Sequence, residues 1–119
     1  MMQWKSAGVA LRRDASLTSA ANNTKWDELR LAMHGMASSP LFRCMSLSGH
    51  YSNPDAEWYY HFRDGGYEDI EFVDILPHAE ADRLEILSHL KATGLAGHAT
   101  EDGFRVYGYV RPGRAVDRF

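Results

Sequence analysis

At 119 residues, with 45% apolar and 24% charged side chains, the chain suits one globular domain that buries roughly two thirds of its unfolded surface. Lys plus Arg number 13 and Asp plus Glu 16, so the net charge is −3, which excludes a broad attraction to nucleic acid or anionic lipid. The single cysteine, Cys44, excludes an intrachain disulfide and a cysteine-built zinc site, and it points to a reducing, cytoplasmic setting.

The opening stretch "MMQWKSAGVALRRDASLTSAANN" has no signal-peptide core, because "AGVAL" is short and arginines follow it. Rich in Ala, Ser and Asn, residues 1–22 are expected to form a loosely held arm, with residues 23–119 as the domain. No apolar run reaches the length of a membrane span. In "NNTKWDELRLAMHGM", Thr24 is the expected helix cap. Trp26, Leu29, Met33 and Met36 follow at i, i+3, i+7 and i+10, one apolar stripe.

"LFRCMSLSG" then alternates like a strand, and "YSNPD" reads as a turn. "AEWYYHF" is expected to be a second strand, "RDGGY" a tight turn, and "EDIEFVDI" a third strand pairing with the second. Regular alternation would leave acids and apolar residues mixed on both faces of that third strand. A bulge near Phe72 and Val73 would turn Ile70, Phe72, Val73 and Ile75 inward. A second helix follows Pro77, with Leu84, Ile86, Leu87 and Leu90 as its stripe and Gly94 as its stop. The chain ends in a hairpin turned by "EDG", with Phe104 to Val110 as one strand. The expected fold is α+β: one antiparallel sheet of about five strands with two helices on one face, in the order α-β-β-β-α-β-β.

Two groups of residues invite a functional reading. If the second and third strands pair, His61 can meet Glu71 or Asp74, and a histidine oriented by a carboxylate is a general acid–base. The plainer alternative pairs these acids with arginines on neighbouring strands. The second group is "FRVYGYVRPG", which places Arg105, Tyr107, Tyr109 and Arg111 on one strand face. With Tyr59, those side chains suit a protein interface, and aromatics alternating with arginines also suit stacked single-stranded nucleic acid. "RVYGYV" resembles the aromatic motif of RNA-recognition domains, although Val106 replaces its glycine and the rest of that fold does not follow. None of the six histidines stands at ligand spacing from another on one element, so neither metal nor cofactor is expected.

"NNTKWDELRLAM", "EWYYHFRDGGYEDIEFVDI" and "FRVYGYVRPG" together resemble a family of small bacterial proteins known only as a domain of unknown function, over about residues 22–113. The resemblance implies a stand-alone cytoplasmic domain, and proteins of this kind include immunity- or antitoxin-like partners of toxins. The leading expectation is a non-enzymatic module that binds another protein or a second copy of itself. A small acid–base enzyme using His61 is the alternative, and RNA or single-stranded nucleic-acid binding through residues 105–111 is the second.

Overall fold

The computed structural model describes residues 16–119. It opens with a short strand, β1 (Thr18–Ser19), and continues into helix α1 (Asn23–His34). The cap of α1 is Asn22, whose side chain accepts the Lys25 N–H at 2.9 Å, two residues before the expected Thr24. The predicted stripe is buried throughout: Trp26, Leu29, Met33 and Met36 all lie in the core.

Strand β2 (Leu41–Ser46) pairs antiparallel with β3 (Ile70–Leu76). Helix α2 (Asp82–Thr93) leads to β4 (Gly97–Ala99), β5 (Phe104–Tyr107) and β6 (Tyr109–Val110). Gly94 ends α2 in the left-handed region at φ 67°, where a side chain would be strained. A four-stranded antiparallel sheet runs β2-β3-β5-β4, and β1 and β6 form a separate two-stranded sheet.

Register decides which side chains share a face. Phe42 pairs with Ile75 and Cys44 with Val73, and these meet Phe104 and Val106 on β5. This face packs on Trp26, Leu29 and Met33 of α1 and on Ile86 and Leu90 of α2, in one apolar cluster. Both helices therefore cover one side of the sheet, as expected. The opposite side carries Leu41, Arg43 and Met45 of β2, Phe72, Asp74 and Leu76 of β3, Arg105 and Tyr107 of β5, and His98 of β4.

Several expectations are corrected. The broad α+β class holds, but a four-stranded and a two-stranded sheet replace the single sheet of about five strands. "AEWYYHF" is no strand: residues 58–65 form successive turns. The Asp55 carboxylate accepts the Glu57 N–H at 2.8 Å, and Glu57 accepts the Tyr60 N–H at 2.7 Å, so local capping outcompetes a ladder. Trp58 and Phe62 still reach the core, where they stack on Phe42 at 4.5 and 5.3 Å between ring centres.

The bulge falls one residue earlier than expected. Met45 faces Phe72 while Ser46 faces Ile70, so Glu71 is the extra residue; Ile70, Val73 and Ile75 are buried and Phe72 turns to the other face. The long last strand breaks at Gly108, which joins β5 to β6 in a different sheet. A Cβ at Gly108 would lie 2.2 Å from the Ile70 carbonyl oxygen and 3.1 Å from the Trp26 ring. On α2, Leu84 is 78% exposed rather than part of the buried stripe. Of the expected N-terminal arm, residues 1–15 lie outside the described residues. Its last part is tied down, since β1 pairs with β6 and the Ala20 N–H donates to Gly108 O at 2.8 Å.

Candidate functional site

The sheet face away from the helices is the first candidate, and β-sheet alternation builds it. One cross-strand row runs Arg43, Asp74, Arg105, His98; the next runs Met45, Phe72, Tyr107. The chain reverses at Gly49, φ 94°, and returns along the outer edge of β2 through bridges Met45–Tyr51 and Phe42–Asp55. That return extends the second row by one residue, Tyr51.

Asp74 sits at the centre of this face and is buried. It accepts Arg105 Nε at 2.8 Å and Nη2 at 3.0 Å, a two-pronged pair, and it accepts the Tyr51 hydroxyl at 2.5 Å. Burial, and then the bond to Asp74, push the Tyr51 phenol up to about 12. The bond to Asp74 raises Arg105 above its ordinary value. The Arg105 guanidinium lies over the Phe72 ring at 3.9 Å, and that of Arg43 over the Tyr51 ring at 3.9 Å. Tyr107 bonds His98 Nε2 through its hydroxyl at 3.1 Å. The result is a half-buried surface of aromatic rings and arginines held by one carboxylate.

The predicted site residues divide over this frame. Asp74 and Arg105 meet, and Tyr107 lies beside Phe72 with 6.1 Å between ring centres. Glu71 pairs with Arg111 through two bonds of 2.8 Å at the edge of the same region, where a groove of about 110 Å³ also takes in Arg114 and Val116. The plainer reading of the strand acids, as partners of neighbouring arginines, is what both Asp74 and Glu71 display. Tyr109 is buried, its hydroxyl donating to Glu68 O at 2.8 Å, because the break at Gly108 reverses the alternation. Tyr59 lies elsewhere, stacked with Arg30 and His34 beside α1.

His61 does not reach Glu71 or Asp74, because the strand that would have carried it is absent. Its Nδ1 instead meets the Asp55 carboxylate at 2.8 Å. The bond to Asp55 raises the His61 pKa above its ordinary value. Burial pushes Asp55 up, but the Glu57 N–H and His61 outweigh it, and its pKa lies below the usual value. The pair lines an open cleft of about 360 Å³ whose floor is Phe42, Phe62 and Ile70 and whose rim includes His50, Asp64 and Asp69. An aspartate-oriented imidazole can accept a proton chemically. Cys44, which also lines the cleft, is no nucleophile: burial and then the Asp55 and Asp74 carboxylates push its thiol up to about 12. Among the described residues no group of three or more His, Cys, Asp or Glu side chains could hold a metal ion.

Sequence reasoning missed Tyr51 and Phe72 as members of the open face and Asp55 as the partner of His61. The signal for Tyr51 was the Ser48-Gly49 pair, a turn dipeptide closer to β2 than the "YSNPD" segment. That for Asp55 was its place two residues before Glu57, ahead of a run of turns.

No curated protein and no solved structure matches the chain. A family model does: residues 9–113 match a family of unknown function, DUF6678. The match extends over β1, both helices and all strands of the main sheet, including every residue of the Arg43–Asp74–Arg105 row. The chain therefore belongs to the DUF6678 family of unknown function.

Proposed function

We propose that this protein is a non-enzymatic binding module and that the sheet face opposite the helices docks a partner protein. One observation carries the reading: Asp74 fixes Arg105 and Tyr51 in place, and rings and guanidiniums stack around them. Arginine and tyrosine dominate the energetics of protein interfaces, and side chains already held lose less entropy on binding. A catalytic role for Asp74 and Glu71 has less support, because arginines occupy both carboxylates. The partner can be a different protein or a second copy of the chain.

The test compares Tyr107→Ala on the open face with Tyr60→Ala, a 66% exposed tyrosine outside it. Sedimentation of the purified protein and affinity capture from producing cells are run for both variants. The reading expects Tyr107→Ala to abolish self-association or one captured partner, and Tyr60→Ala to leave it intact. Equal behaviour of the two variants, or a monomer with no captured partner, overturns it.

A further inference from the structure

Arg43 differs from the other arginines of the open face. Arg105 has its carboxylate in Asp74, and Arg111 has Glu71. Arg43 makes one hydrogen bond, from Nε to Ser52 O at 2.7 Å, with its plane laid over Tyr51. Its cross-strand neighbour Asp74 already has one oxygen on Arg105 and the other shared between Arg105 and Tyr51. Both Nη atoms, with four N–H donors, thus lack a protein partner among the described residues. A guanidinium cannot be stripped of water without compensation, so this fork faces solvent in the free protein.

We infer that the partner docked on the open face presents a carboxylate side chain to the Arg43 fork, flanked by apolar side chains that meet Leu41, Met45 and Phe72; this rests on the reading of that face as the docking surface. Three features favour this occupant. The row Arg43, Asp74, Arg105 sums to one positive charge, which a single carboxylate neutralises. Two parallel bonds to a carboxylate fit a guanidinium whose orientation is fixed by stacking and by its Nε bond. The carboxylate directly across from Arg43, Asp74, is taken up by Arg105 and Tyr51, and the same-face residues around it, Leu41 and Met45 on β2 and Phe72 and Leu76 on β3, are apolar, which suits an acidic residue within an apolar segment better than a run of phosphates. The net charge of −3 does not forbid it, because charges beyond a Debye length, about 8 Å in physiological salt, are largely screened.

The probe is the capped peptide Leu-Glu-Leu-Glu-Leu, set against the same peptide with Gln, with Lys, and a short single-stranded oligonucleotide. Binding is followed by the amide and arginine Nε–H signals of the labelled protein. The Glu peptide is expected to shift the Arg43 Nε–H and the amides of residues 41–45 and 72–76, with the Gln and Lys peptides at least ten-fold weaker. Arg43→Gln should lose that binding by ten-fold or more, and Arg43→Lys should recover only part of it, since an ammonium lacks the fork. Arg63→Gln, an exposed arginine outside the face, should change nothing. Amide spectra of each variant confirm that it is folded.

Equal binding of the Glu and Gln peptides, unchanged binding by Arg43→Gln, tighter binding of the oligonucleotide, or no shifts at millimolar peptide each overturn the inference. If Arg43→Gln leaves a partner bound that Tyr107→Ala releases, the face still docks protein and only the carboxylate assignment fails. If neither variant matters, the reading of the face fails with it.

Discussion

Asp74 and Arg105 face each other across β3 and β5 and join through two hydrogen bonds, with the aspartate side chain only 10% exposed and the arginine 34% exposed. This pair organises the open face of the sheet. Asp74→Asn keeps the shape and removes the charge, so Arg105 loses its counter-ion and Tyr51 a strong acceptor. The expected destabilisation is about 1–3 kcal/mol by urea unfolding. Arg105 should also become mobile over Phe72, seen as narrowing of its side-chain signals. Wild-type stability in this variant would show that the pair is decorative.

Gly108 is where the last strand leaves the main sheet. It has no room for a methyl group, since the Ile70 carbonyl oxygen would be 2.2 Å from it. Gly108→Ala must push β5 and β6 off β3 or move α1 at Trp26. We expect a loss of about 1–3 kcal/mol, at the upper end because the clash is with backbone. The amides expected to move are those of residues 70–71 and 18–20. A variant as stable as the parent would mean that the crossing of β3 and Gly108 is looser than described.

His61 is expected to titrate above its ordinary 6.5 because of its bond to Asp55, and Asp55→Asn should bring it down. The raised value means that the folded chain holds this proton more tightly than the unfolded one. The contribution of His61 is therefore full below pH 6.5 and is lost as the pH climbs through the raised value, while that of Asp55, whose pKa is lowered, is present above 3.8 and is lost as the pH falls below it. Imidazole proton shifts followed from pH 5 to 9 measure it directly. An Asp55→Asn variant with the parent's titration curve would contradict the pairing.

Tyr51 and Tyr67 should make the protein sensitive to alkali. Burial is the first cause for both, and the hydroxyl bonds to Asp74 and Asp27 add to it, raising each phenol from 10 to about 12. A phenol becomes charged on losing its proton, so this stability is fully present below pH 10 and is lost as the pH rises toward 12. Two pH units correspond to at most about 3 kcal/mol for each ring. Denaturant midpoints measured from pH 8 to 11.5 should fall, and fall less steeply in Tyr51→Phe. Parallel curves for parent and variant would rule out a role for Tyr51.

The helices were legible because apolar spacing and glycine stops act within a few residues: Trp26 to Met36 marked α1, and Gly94 ended α2. The strands "LFRCMS" and "IEFVDIL" were legible from their apolar and β-branched content. What failed depended on distant partners or on local bonds that alternation does not encode. Trp58, Phe62 and their neighbours look like a strand, but Asp55 and Glu57 cap their backbone into turns. Arg105 and Tyr107 were placed on one face, and the same period carried past Gly108 misplaced Tyr109. Buried Arg30 gave no apolar signal at all; it is held by the Tyr59 carbonyl at 2.6 Å, a contact 29 residues away in sequence.

The most direct measurement installs a photo-activated cross-linking residue at one position of each surface, Tyr107 and Tyr60, and irradiates producing cells. The account predicts a single defined adduct from position 107, with another protein or a second copy, and none from position 60. Adducts from position 60 alone, or the same products from both, would show that the open face of the sheet is not where a partner binds.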